Sequence, residues 1–109
     1  MTTIAAANLQ QRFLSRFLGY EVVGPTGDTL GTLWNFALDL KTGELAYAIL
    51  RSEDRLFAFL WDEFHLRDNK ILELQMSAEI LRELPGFDPA NCPDWRGHRV
   101  RLLDENALV

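Results

Sequence analysis

The chain has 109 residues, 48% hydrophobic and 25% charged, with a formal net charge of −5 and a pI near 4.9. That balance fits one compact globular domain with a modest core and excludes a disordered chain. The acidic excess opposes docking on a nucleic-acid backbone, where affinity comes from clustered Lys and Arg, though it leaves room for a local basic patch. No apolar run approaches the roughly 20 residues that cross a bilayer. The start, MTTIAAANLQQRF, lacks the charged head and long apolar centre of a secretory signal. Cys92 is the only cysteine, so neither an internal disulfide nor a cysteine metal cage can form, which favours a reducing compartment. The expectation is a soluble cytoplasmic protein.

In chain order, residues 8–18 come first. Leu9, Phe13 and Phe17 recur every four residues with Leu14 and Leu18 beside them, the stripe of a short helix that Asn8 can cap. Arg12 and Arg16 border the stripe, but so slight a basic charge favours packing on the body over a membrane surface. Residues 20–23 read as a strand, and GPTGD supplies turn chemistry. Gly24, Gly27 and Gly31 do not match a phosphate-loop spacing. In TLWNFALDL, a period of two puts Leu33, Asn35, Ala37 and Asp39 on one face and Trp34, Phe36, Leu38 and Leu40 on the other. Asp39 and Gly43 are placed to shape a hairpin turn, by accepting backbone N–H groups and by taking the left-handed conformation. In the returning strand, Ala46, Ala48 and Leu50 oppose Leu45, Tyr47 and Ile49. Two apolar faces suit a central strand or a small closed barrel.

SEDR is a polar break, LFAFLW an aromatic strand, and DEFHLRDNK a polar stretch ending in a turn. ILELQM alternates as a strand, with Leu72, Leu74 and Met76 on its apolar face. SAEILREL changes to the helical period: Ser77 caps it, Ile80, Leu81 and Leu84 supply the buried side, and Pro85-Gly86 ends it. A Pro-rich extended segment follows. In RGHRVRLL, Val100 and Leu102 alternate with Arg99 and Arg101, as in an edge strand or a tail that grips a partner.

The order of these pieces resembles the PRC-barrel family over residues 18–95. The matching residues are Gly19, Gly27-Asp28 and Gly31, Asp39 with Thr42-Gly43, the strand ELAYAIL, Trp61 before an acidic residue, Leu81 with Pro85, Phe87 and Asp88, and finally Pro93, Asp94 and Trp95. Departures are Leu60, where the family usually has proline, Cys92, where it often has tryptophan, and the short loop RSEDR. The family includes the cytoplasmic barrel of the photosynthetic reaction-centre H subunit, the C-terminal domain of a ribosome maturation factor, and small stand-alone bacterial and archaeal proteins. The resemblance implies a mainly β fold: a small β-barrel at 19–95 with a short C-terminal helix, an N-terminal segment 1–18 with a helical pattern, and a tail or edge strand at 96–109. The transmembrane helix of the H subunit and the N-terminal domain of the ribosome factor have no counterpart in these residues, so neither specific job carries over.

Candidate chemistry is thin. Asp62, Glu63 and His65 offer at most two ligands on one strand face, short of the three or four a zinc site needs. Cys92 and His98 are a thiol and an imidazole six residues apart with no predicted helix N-terminus to activate the sulfur. The expectation is no enzyme and no cofactor. The leading function is a non-enzymatic adaptor that binds a protein partner and forms a homodimer by edge pairing or tail exchange. Trp34 and Trp95, with Arg96, Arg99 and Arg101, are its candidate partner-binding residues, since exposed Trp and Arg make binding hot spots. Trp61 reads as core. The alternative is an RNA- or ribosome-associated module using the Arg96/Arg99/Arg101 tail. A small-molecule barrel is a third option, weakened by the little interior volume expected to remain.

Overall fold

The organising strand is β2, Thr29–Asp39. The computed structural model describes residues 13–68, 70–87 and 100–104. Within them β1 is Glu21–Val23, β3 Leu45–Ser52, β4 Arg55–Phe59, β5 Phe64–Asp68, β6 Ile71–Leu74, α1 Ala78–Glu83 and β7 Val100–Leu102. The strands form one mainly β, seven-stranded sheet in the order β4-β3-β2-β1-β6-β5, with β7 also on β2. All pairs are antiparallel except β1 with β6. The two ends of this path come together at a 3₁₀ turn, Trp61–Glu63, where Phe59 of β4 and Phe64 of β5 pack edge to face at 6.2 Å. The sheet thus curls around a main core that includes Val22, Leu33, Phe36, Leu50 and Leu72.

A second apolar cluster, Ala37, Tyr47, Ile49, Leu56 and Leu102, lies apart from this core, with Trp34 and Ala46 packed against it. Strict alternation does not survive along β2 and β3. Leu33 opposes Leu50 while Asn35 opposes Ile49, which leaves Trp34 as an extra residue; Ala37 opposes Tyr47 while Leu38 opposes Leu45, which leaves Ala46 extra. Each bulge flips the faces that follow it. Leu33 therefore joins Phe36 in the main core instead of sharing a face with Ala37, and Leu45 joins Ala48 and Leu50. Leu40 lies in the turn and is half exposed.

Asn35, expected on a strand face with Leu33, Ala37 and Asp39, is wholly buried. Its Nδ2 donates to the Asp104 carbonyl at 2.7 Å. Its Oδ1 accepts the N–H of Phe36 at 2.9 Å and that of Asp104 at 3.0 Å. The carboxamide thus satisfies backbone groups that would otherwise be orphaned in the interior.

The local signals read from sequence hold at the turns. Asp39 Oδ1 accepts the N–H groups of Lys41 at 2.7 Å and Thr42 at 3.1 Å, and Gly43 sits at φ 74°. Ser77 Oγ accepts the Ile80 N–H at 3.2 Å, capping α1. Other readings are corrected. DEFHLRDNK is not one polar stretch: its centre is β5, an edge strand whose Phe64 is buried. The aromatic strand ends at Phe59, before Trp61. Ile80 is half exposed, because a helix of six residues turns only Leu81 fully inward. In the N-terminal segment residues 13–15 are helical, but Leu14 is the buried residue and Phe13 is half exposed. Asn8, Leu9 and Arg12 lie outside the described residues.

Gly31 is required by a close approach: a Cβ built there would meet the Arg51 carbonyl oxygen at 2.0 Å. Gly31→Ala is expected to cost about 3 kcal/mol or more, since backbone has to shift. At Gly27, φ 90°, an added Cβ meets nothing within 4 Å, so Gly27→Ala is expected to cost only about 1 kcal/mol. Urea unfolding of the two variants checks the contrast; equal losses would contradict it.

Candidate functional site

A cleft of about 430 Å³ opens between the start of β2, the β3–β4 turn and α1. Its apolar floor is Leu30, Phe57 and Leu81, all buried members of the main core. The two-residue turn between the paired Ser52 and Arg55 puts Glu53 and Asp54 on the rim. Glu53 holds a left-handed φ of 58°, a conformation that costs a non-glycine residue of order 1 kcal/mol. Arg51 Nε donates to the Glu53 carbonyl at 3.4 Å. Across the cleft, Arg55 Nη1 donates to the Leu84 carbonyl at 3.4 Å, which ties the hairpin to the end of α1. Arg82, in the last turn of α1, completes the rim. The side chains of Glu53, Asp54 and Arg82 are exposed and make no ion pair among the described residues. Among the described residues no histidine or cysteine lines the cleft; it is a recess with a small apolar floor edged by charged side chains of both signs.

An aromatic array occupies another part of the surface. Phe17 packs edge to face on Trp61 at 5.2 Å and on Phe13 at 5.4 Å. Trp61 in turn meets Phe36 at 5.1 Å and Phe64 at 5.6 Å. These contacts pin the N-terminal segment to the 3₁₀ turn and make Trp61 a partly buried member of the core. Phe13 and Leu60, 53% and 50% exposed, flank the array.

Of the partner-binding residues singled out from sequence, Trp34 and Arg101 are among those described. Trp34 packs against the second cluster together with Val100. Arg101 is half-buried and pairs with Leu38, so strand alternation puts it on the opposite face of β7 from Val100. Trp95, Arg96 and Arg99 lie outside the described residues, as do Cys92 and His98. Asp62 and Glu63 belong to the 3₁₀ turn, not to the strand of His65, and Glu63 Oε2 accepts the Leu60 N–H at 3.0 Å. Among the described residues no group of three His, Cys, Asp or Glu is arranged to hold a metal. Sequence reasoning missed the cleft: SEDR registered as a polar break and SAEILREL as a helix, and only tertiary pairing puts them side by side.

Among the described residues no helix is long and apolar enough to cross a membrane. No curated protein matches the chain. The sequence profile of the PRC-barrel domain matches residues 10–79, more than half of the chain. That domain is a general protein-interaction module and is generally non-catalytic. The chain belongs to the PRC-barrel domain family.

Proposed function

We propose that this protein is a non-enzymatic adaptor that docks a protein partner and self-associates as a homodimer in the cytoplasm. The observation that carries the reading is the cleft: a recess floored by the buried apolar side chains of Leu30, Phe57 and Leu81, with charged side chains at its mouth that make no ion pair among the described residues. Such an arrangement suits binding and orienting a partner. The lone Cys92 fits a reducing compartment.

Self-association draws its support from the aromatic end. Phe13 and Leu60 expose half of their surface beside the Phe17–Trp61 contact, an area that a second copy would dehydrate. Edge pairing through β5 is the weaker route. A register shift between Leu66 and Asp68 and the charged Arg67, paired to Glu73 at 3.3 Å, guard that edge.

Cross-linked capture of the full chain from its own cells is expected to yield a stoichiometric protein partner; recovery of the chain alone would contradict the adaptor reading. Light scattering from micromolar to near-millimolar concentration is expected to show the mass rise from 12.5 kDa toward twice that value. Phe13→Ser combined with Leu60→Ser is expected to weaken the dimer by about 10-fold or more. A constant monomer mass for the wild type removes self-association.

A further inference from the structure

We infer that the cleft takes an extended segment of the partner, with one apolar side chain seated on the floor, a basic residue on one flank and an acidic residue on the other. The inference rests on the adaptor reading and gives that partner a chemistry.

Three observations select this occupant. The floor of Leu30, Phe57 and Leu81 is apolar and belongs to the core, so a hydrocarbon or aromatic side chain placed there is removed from water. The recess, at 430 Å³, falls within the range of about 300–1,000 Å³ found for ligand sites. The rim is electrically divided: Glu53 and Asp54 lie on the hairpin turn, whereas Arg82 lies on α1 and the guanidinium of Arg55, which also lines the cleft, reaches the end of α1 at Leu84; Glu53, Asp54 and Arg82 are exposed and make no ion pair with one another. A uniformly acidic segment is repelled by the hairpin and a uniformly basic one by Arg82, whereas a segment with both signs in the right order meets each side favourably.

The backbone gives a further reason. Pairing of β2 with β3 stops at Thr32 opposite Arg51, because β3 turns away at Glu53 and Asp54. Thr29 and Leu30 line the cleft, and β2 has no ladder partner beside them on the β3 side among the described residues. A short stretch of strand edge therefore faces the recess, and an extended peptide can pair with it.

The test uses the isotope-labelled full chain and acetylated, amidated heptapeptides with a central Phe or Leu, Lys on one flank and Glu on the other, in both orders. The expected result is saturable NMR shifts confined to Leu30, Ser52–Arg55 and Ala78–Arg82, stronger for one order. Asp54→Lys combined with Arg82→Glu, two exposed positions that leave the core intact, cancels the net charge on each side of the rim, since Glu53 and Arg55 remain, and is expected to abolish the preference for one order. The change should be about fivefold, the effect of one exposed ion pair. Shifts at the Phe13–Trp61 end, equal binding of both orders by the wild type, or an unchanged preference in the variant would overturn the cleft assignment while leaving an adaptor that docks elsewhere. Absence of any peptide binding also overturns the cleft assignment. The adaptor reading itself stands or falls separately, on capture of an intact partner by the full chain.

Discussion

A buried carboxamide joins the two halves of this fold. One edge of β2 serves β1 at its start and β7 at its end. The β1 side finishes where Leu33 donates to Tyr20 and accepts from Gly19, and the β7 side resumes where Phe36 accepts from Leu103. Between them no strand covers the edge among the described residues, and Asn35 fills the gap with its own side chain. It bonds the N–H of Phe36 and both the N–H and the carbonyl of Asp104, 69 residues away. Each such bond is worth about 1 kcal/mol net, but leaving a buried partner unmet costs about 1–3 kcal/mol. The arrangement therefore stabilises less than it specifies: it fixes where β7 lies and which face it presents.

The bulge at Trp34 is part of the same device. By inserting one residue it turns Leu33 and Phe36 toward the main core and Trp34 and Ala37 toward the second cluster. A single long strand can then line two apolar regions. At its other end β2 runs beyond the last β3 partner, and Gly31 lets it pass close to the Arg51 carbonyl. The recess beside Thr29 and Leu30 is a consequence of that overrun, with α1 as its far wall. The candidate binding site and the β7 clasp are thus opposite ends of one strand.

What was legible in the sequence was local or familial. The Asp39–Gly43 turn and the Ser77 cap rest on chemistry within four residues. The order of turns, with Trp61 and the late Pro85, was enough to point to the family. The departure at Leu60 is mild, since its φ of −67° is the value a proline would impose. The bulges at Trp34 and Ala46 were not legible, because an inserted residue leaves the apolar pattern of two buried faces unchanged. The role of Asn35 was not legible because its partner, Asp104, is distant in the chain. β5 was hidden by the polar residues that an edge strand is free to carry. The cleft was invisible for the same reason as Asn35: its walls meet only once the sheet has curled.

Native-state hydrogen exchange on Asn35→Asp tests this account most directly. The substitution keeps the shape but removes the donor to Asp104 and adds a buried charge. The amides of Phe36 and of Arg101 to Asp104 are expected to exchange about 10–100-fold faster, the equivalent of about 1.4–2.7 kcal/mol. Val22 and Leu50 should change distinctly less. Unchanged exchange in β7, or the same acceleration throughout the sheet, would contradict the role given to Asn35.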